Sequence, residues 1–340
     1  MRCLSLLYVL SVLFFSFSAR PSLAQSAPLT HAQALELGRL AVPPPMPVRP
    51  IAPPTEPFPG ETAVLDLWTT FTLFLPNGWT VPPSGDTVLT VHFHSGIWFA
   101  IQEHLRRGIT GPLVAFSPGE GSTIYRKNFE DPTHFKILMD SVVAELKKHG
   151  APANTHISAV DISSFSAGYG AVREIVKSPD YFKLIRRIVL CDSMYASLDD
   201  TVSSGVRKPA PEHIAPWIPI AQDAARGEKT FVLSHANVPI PTYANTAECA
   251  AALIQAIGAP REAVAPDSIP AASSSEPYPL LYRSDIGNFH VWSYGGADGM
   301  AHMIQARHLA DIWLALDATE RQAHLLGPLP LNDQPSSAAR

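Results

Sequence analysis

The chemistry in this chain gathers around one serine. Residues Ser163-Ser164-Phe165-Ser166-Ala167-Gly168 follow an apolar, β-branched run, Ile157 to Ile162, and precede a helical pattern with Val172, Ile175 and Val176 at i, i+3 and i+4. A strand that reverses into a helix over so few residues forces the turn residue into strained backbone geometry. The residues two before and two after it must be small, because the two backbones nearly touch. Ser166 is then held out at the carboxyl end of a sheet, with the next N–H free at a helix N-terminus. A plain Ser/Gly-rich loop is the competing reading, and the flanking strand and helix argue against it. A serine hydroxyl becomes a nucleophile when an imidazole takes its proton and an acid holds that imidazole. His302 comes after the apolar run Phe289 to Tyr294 and the flexible bend Gly295-Gly296-Ala297-Asp298-Gly299. Asp192 ends another apolar run, Arg187 to Cys191, where the ordinary role of an aspartate is to cap a turn. Asp298, four residues before His302, is the reserve acid. His308 falls on a regular helix and reads as a packing or surface residue.

The elements that must position these groups alternate along the chain. Ala63 to Phe74 and Thr87 to Phe93 are β-rich runs, separated by the turn formers Pro76-Asn77-Gly78 and Pro82-Pro83-Ser84-Gly85. Gly111 to Ser117 is a short apolar strand. A helix then starts at the cap Asp131 with Pro132 in its first position, presents Phe135, Leu138, Met139, Val142 and Leu146 on one face, and stops at Gly150. Beyond the serine, Thr230 to Ser234 reads as a strand, Thr246 to Ile257 as a helix, and His302 to Leu316 as a closing helix. Short apolar strands alternating with helices predict an α/β fold with a mainly parallel sheet covered on both faces. Ser197 to Lys229, with a helical piece over Trp217 to Ala225, and Ala259 to Asn288 read as small lid or wall insertions at strand ends.

These motif regions, in this order, resemble the α/β-hydrolase superfamily over about residues 62–320. The superfamily's nucleophile elbow is normally G-x-S-x-G, and here Ser164 stands in the first glycine's place. The resemblance implies a triad of Ser166, Asp192 and His302, with the histidine after the last strand. The acid then sits one strand earlier than is usual, as in some members, because Thr230 to Ser234 is followed by no acid until Glu248. It also implies an oxyanion hole built from the backbone N–H of Ala167 and one from the loop His94-Ser95-Gly96-Ile97, hence from Ser95 or Gly96. His92 and His94 share a strand face, a spacing that suits a metal. The Asp-His continuation of a metallo-β-lactamase site is absent, so both read as buried structural residues. No metal or organic cofactor is implied.

Composition bounds the rest. A chain of 340 residues, 46% hydrophobic and 16% charged, holds one large domain or two small ones. The expected organisation is a signal peptide over 1–24, a Pro-rich extension over 25–60, a hydrolase domain over 61–326 and a disordered tail over 327–340. Arg2, the apolar run Leu4 to Phe17 and the small-x-small site Ser22-Leu23-Ala24 carry the signal reading, and that run is short for a membrane anchor. Cleavage there removes two arginines and no acid, moving the net charge from −5 to −7. Such a protein has no electrostatic reason to bind nucleic acid. In the extension, nine of the seventeen residues from Pro43 to Pro59 are proline, which predicts an extended tether or a strap on the surface. Cys191 and Cys249 could form one disulfide, whose geometry no sequence spacing fixes, and are read instead as free buried thiols. The leading expectation is a secreted or periplasmic serine hydrolase that cleaves small-molecule or polymer-linked carboxylic esters through an acyl-enzyme. An amidase or peptidase on the same triad, and a non-catalytic binding protein with the same fold, are the alternatives.

Overall fold

Ten strands form one sheet: β1 (Gly60–Asp66), β2 (Thr70–Pro76), β3 (Asp86–Phe93), β4 (Leu113–Phe116), β5 (His156–Phe165), β6 (Ile185–Cys191), β7 (Thr230–His235), β8 (Glu262–Ala263), β9 (Leu280–Ile286) and β10 (Phe289–Tyr294). The computed structural model describes residues 29–46, 51–203, 205–265 and 278–326, so the expected signal segment and tail lie outside the described residues. The spatial order is β1-β2-β4-β3-β5-β6-β7-β10-β9-β8. The six strands from β4 to β10 in that order are parallel, and β1, β2, β9 and β8 add antiparallel edges.

The helices, in chain order, are α1 (His31–Leu40), α2 (Ile97–Arg106), α3 (Ser122–Lys127), α4 (His134–Lys148), α5 (Tyr169–Ile175), α6 (Pro179–Leu184), α7 (Pro211–Ile214), α8 (Ile218–Ala225), α9 (Thr246–Ile257), α10 (Gly299–Arg307) and α11 (Leu309–Leu326). Alternate residues of the central strands face two different cores, as a strand's period of two requires. Ile188 and Leu190 of β6 pack with residues of α4, α5, α8 and α9, while Val189 and Cys191 pack with residues of α10 and α11. The α/β fold expected from the alternation is therefore present, with helices on both faces of a mainly parallel sheet. Lower on β5, five residues before Ser166, Asp161 takes hydrogen bonds from Arg186 (2.7 Å) and Arg187 (2.7 Å), which lie at the start of β6. Burial raises the Asp161 carboxyl pKa, but these arginines outweigh it and bring it down to about 2. Arg187 continues to Asp317 of α11 at 2.6 Å, so β5, β6 and α11 are tied together beneath the elbow.

Several elements differ from the sequence reading. The run Ala63 to Phe74 is two strands, because the chain turns at 67–69 and pairs Asp66 with Thr70. α2, directly after the His94–Gly96 loop, was not placed from the sequence. α4 starts at His134 rather than Pro132, since the Asp131 carboxylate closes a local turn onto the Thr133 N–H (2.8 Å) instead of capping the helix. The closing helix is two, α10 and α11, meeting at His308. Part of 259–288 is β8 and β9, which extend the sheet; residues 266–277 lie outside the described residues.

The Pro-rich extension is corrected most. α1, opened by a Thr30–Gln33 capping box, lies against β9, where a side-chain carbon on Gly38 would come 2.8 Å from the Asp285 backbone. Ala41 and Met46 are buried, Tyr294 and His308 both donate to the Pro44 carbonyl (2.7 and 2.8 Å), and Arg283 donates to that of Ala41 (2.9 Å). Residues 31–46 are thus part of the packed body, while 52–57 are exposed as a surface strap would be. Among the described residues no helix is long and apolar enough to cross a membrane.

Candidate active site

Among the described residues three non-glycine positions have positive φ: His94 (63°), Ser166 (47°) and Asp192 (42°). Each is the residue immediately after a strand, β3, β5 and β6, and those three strands are neighbours. Each such backbone costs on the order of 1–3 kcal/mol and persists where the surroundings impose it. The sheet's carboxyl edge therefore concentrates its strain where the sequence places the chemistry.

At the elbow, Phe165 is still extended (φ −118°, ψ 144°), Ser166 turns left-handed, and a helical turn over Ser166–Gly168 leads into α5. Gly168 is required by space: a side-chain carbon there would sit 2.4 Å from the Phe93 carbonyl oxygen. Ser164, in the place of the superfamily's first glycine, is accommodated by a partner that the sequence did not disclose. Its hydroxyl donates to Ser193 Oγ (2.7 Å), which in turn donates to the Ser166 carbonyl (2.8 Å). The larger residue is buried and satisfied, and the pair fixes the backbone of the strained serine.

His302 Nδ1 lies 2.7 Å from Asp192 Oδ2, and its Nε2 lies 2.9 Å from Ser166 Oγ. The carboxylate only accepts, so Nδ1 carries the proton and Nε2 is left to accept from the serine. Asp192 is buried and its N–H donates to Ser234 at the end of β7 (2.7 Å), while Phe165 stacks on the His302 ring at 4.7 Å. Three strand ends and one helix thus converge on the histidine. Asp298, the reserve acid, is elsewhere engaged: its carboxylate caps α10 through the Ala301 N–H (2.8 Å). His302 sits one turn into that capped helix.

The loop after β3 is held from below. Ser95 Oγ donates to the Gly96 carbonyl (3.2 Å) and accepts from His92 Nε2 (3.0 Å), and His92 Nδ1 accepts from Ser163 (2.8 Å). Burial, with a smaller contribution from His94, lowers the His92 pKa to about 3, so the ring stays neutral. His94 Nδ1 donates to Tyr125, whose hydroxyl donates to the Gly119 carbonyl. His92 is buried, as expected, whereas His94 is only half-buried; among the described residues no group of three or more potential metal ligands occurs. The N–H groups of Ser95 and Gly96 have no hydrogen-bond acceptor among the described residues. Gly96, exposed, opens α2; Ala167 borders the groove in front of Ser166, whereas Ser95 and Gly96 do not.

That groove has a volume of about 1090 Å³, with Ser166, Ala167 and His302 among its lining residues. Tyr169, Tyr195 and Tyr243 give it aromatic walls. Residues 196–197 and 212–213 contribute, in accord with the insertion read over 197–229. Among the described residues the second wall comes from Val238 to Tyr243 after β7, while the described part of 259–288 is largely β8 and β9 at the sheet edge. His308 is fully buried, and Cys191 and Cys249 are free buried thiols; burial pushes the Cys249 pKa up to about 12.

No family model and no curated protein matches the chain. Solved structures resemble it at low identity. An uncharacterised protein from Capnocytophaga ochracea aligns with a TM-score of 0.42 and 11% identity over 75% of this chain and 62% of its own. The enterobactin esterase from Shigella flexneri aligns with a TM-score of 0.41 and 10% identity over 78% of this chain and 61% of its own. A poly(3-hydroxybutyrate) depolymerase from Bordetella parapertussis gives 0.38 and 14% over 75% and 88%. This chain spans less than two thirds of the first two proteins. Likenesses this distant say nothing about the reaction, so a functional reading rests on the site's own geometry.

Proposed function

We propose that the protein is a serine hydrolase that cleaves carboxylic esters through an acyl-enzyme, acting outside the cytoplasm after loss of residues 1–24. The observation that carries this reading is the pair of hydrogen bonds from Ser166 through His302 to Asp192, at 2.9 and 2.7 Å, opening onto a groove. Ser166 Oγ attacks the ester carbonyl as His302 Nε2 takes its proton. The Asp192 carboxylate keeps the imidazole in the accepting tautomer and balances the imidazolium that forms. Negative charge growing on the carbonyl oxygen is met by the Ala167 N–H and by Ser95 or Gly96. One such donor is commonly worth about 2.7–4 kcal/mol of barrier. His302 then gives the proton to the departing alcohol oxygen. A water, deprotonated by the same imidazole, hydrolyses the acyl-enzyme and restores Ser166.

A fluorophosphonate probe tests this directly. Protein recovered from the producing cells should begin at Gln25 by intact mass and gain one phosphonyl group on the peptide holding Ser166. Ser166→Ala should gain none. Equal labelling of that variant, or no labelling of a folded wild type, would sink the proposal.

A further inference from the structure

The groove also presents two hydrogen-bond donors for which the described residues supply no acceptor. Arg173 lies one turn beyond Tyr169 on α5, the helix launched by the elbow, and lines the same groove as Ser166. It is only 9% exposed, yet its guanidinium makes no hydrogen bond to any described residue. The carboxylate within 4 Å of it, Glu174, stands 3.8 Å from Nε, and the Tyr169 ring centroid is 5.6 Å from Cζ. Glu174 is already held by Lys177 at 2.6 Å, and Arg126 is paired with Glu130, so these charges balance one another. His213 is the second donor. Its Nδ1 accepts from the Ser197 N–H (2.9 Å), which leaves the neutral ring's proton on Nε2. Burial and then the charge of Arg173 lower its pKa, and both residues line the same groove. Glu212, the remaining groove carboxylate, is exposed to solvent.

A desolvated guanidinium that makes no hydrogen bond, and whose carboxylate neighbour at 3.8 Å is shared with Lys177, is costly, and its planar fork matches a carboxylate through two parallel hydrogen bonds. We propose that Arg173 and His213 form a carboxylate-binding subsite, so that the ester hydrolysed carries a carboxylate on the portion lying along α5. This rests on the ester-hydrolase reading above. From Ser166 to Arg173 the chain climbs three residues of tight helix and four of α-helix, about 12 Å between Cα atoms. A substrate with its carboxylate several bonds from the scissile ester spans that gap, and one with adjacent groups does not.

The test compares matched esters within one protein. Mono-nitrophenyl esters of glutaric, adipic and suberic acids are set against their neutral methyl esters, and acetyl esters of ω-hydroxy acids against theirs. The first arm places the carboxylate on the acyl side and the second on the alcohol side. In wild type the anionic ester should win by about ten- to a hundredfold in kcat/KM in one arm, the range expected of a charged hydrogen bond. Arg173→Gln should bring that ratio to about one, and Arg173→Lys, which keeps the charge but loses the fork, should fall between. Because each ratio is taken within one protein, a partly unfolded variant reports the same value. Calorimetric titration of Ser166→Ala with the same pairs gives a Kd ratio that needs no turnover. A ratio near one in wild type in both arms, or one unchanged by Arg173→Gln, overturns the subsite. If the neutral ester is still hydrolysed in a Ser166-dependent way, the hydrolase reading survives that result. Conversely, selective carboxylate binding without phosphonate labelling leaves the subsite and removes the hydrolase.

Discussion

The chain holds two aspartate–histidine contacts of the same length. His302 Nδ1 lies 2.7 Å from Asp192 Oδ2, and His290 Nδ1 lies 2.7 Å from Asp285 Oδ1. The second pair joins residues directly opposite each other on β9 and β10, so ordinary antiparallel register brings them together. Asp285 also takes hydrogen bonds from Trp292 (3.1 Å) and Arg283, and His290 is 1% exposed. The first pair joins residues 110 apart, from a strand end and a helix. Its aspartate sits on left-handed backbone, and its imidazole, 21% exposed, has a serine on the other nitrogen and a groove in front. Distance alone does not distinguish the two pairs. Access of the second nitrogen, and the strain spent to arrange it, do.

The largest effect that would break this contrast is on rate. Asp192→Asn should leave the fold intact and lower kcat by about 10⁴, through the wrong tautomer. Asp285→Ala should leave the rate per folded molecule nearly unchanged and instead cost about 2–4 kcal/mol, since it leaves the buried ring donors of His290 and Trp292 without their acceptor. For a chain of this size that is a drop in Tm of roughly 3–6 °C. Ester turnover and thermal unfolding by circular dichroism, measured on both variants, check it; exchanged phenotypes would refute the assignment.

Acid offers a smaller effect that touches both regions. His92 under the oxyanion loop and His308 under the N-terminal segment have pKa values lowered by burial to about 3, and His104 beside Gly111 to about 4. In the unfolded chain these rings titrate near 6.5, so below that pH the unfolded state binds more protons. Their contribution to stability is complete above about pH 6.5 and falls progressively toward pH 3–4, by on the order of 1–2 kcal/mol each at pH 5. Denaturant midpoints should therefore decline between pH 6.5 and 4.5, and less steeply in His308→Gln. A flat profile would show that these rings are not held neutral.

The finest probe is Ser193→Ala. It removes the donor to the Ser166 carbonyl and leaves the buried Ser164 hydroxyl without its acceptor. A fall in kcat of about tenfold, with 1–3 kcal/mol of stability, is expected. Ser164→Gly beside it should recover much of the stability, and a double-mutant cycle reads the coupling. Additive effects would mean that the two hydroxyls act independently.

The strand ends and helix starts around Ser166, Asp192 and His302 were legible because they are local signals. Ser166, Asp192 and His302 each follow an apolar run that is a strand. Ser193 and Tyr125 left no such signal: their roles depend on which hydroxyl faces which backbone carbonyl, and no spacing encodes that. β9 was hidden by mixed composition, since Tyr282 and Leu281 face solvent and Arg283 and Asp285 satisfy each other. The proline run concealed a preceding ten-residue helix, His31–Leu40, whose buried face is carried by residues as small as Ala34 and Gly38. Small residues produce little hydrophobic periodicity, yet they allow the close approach to β9.

That docked N-terminal segment has a consequence for the order of assembly. Its ties run to the far end of the chain: Pro44 to Tyr294 across 250 residues, Pro44 to His308 across 264 and Ala41 to Arg283 across 242. At elongation rates of about 5–20 residues per second, the earliest residues made wait on the order of 10–50 s for the groups that receive them. Until then Ala41 and Met46 have no pocket, and β9 has no cover on the edge that α1 will occupy. The first part of the described body to be synthesised is thus among the last to be closed.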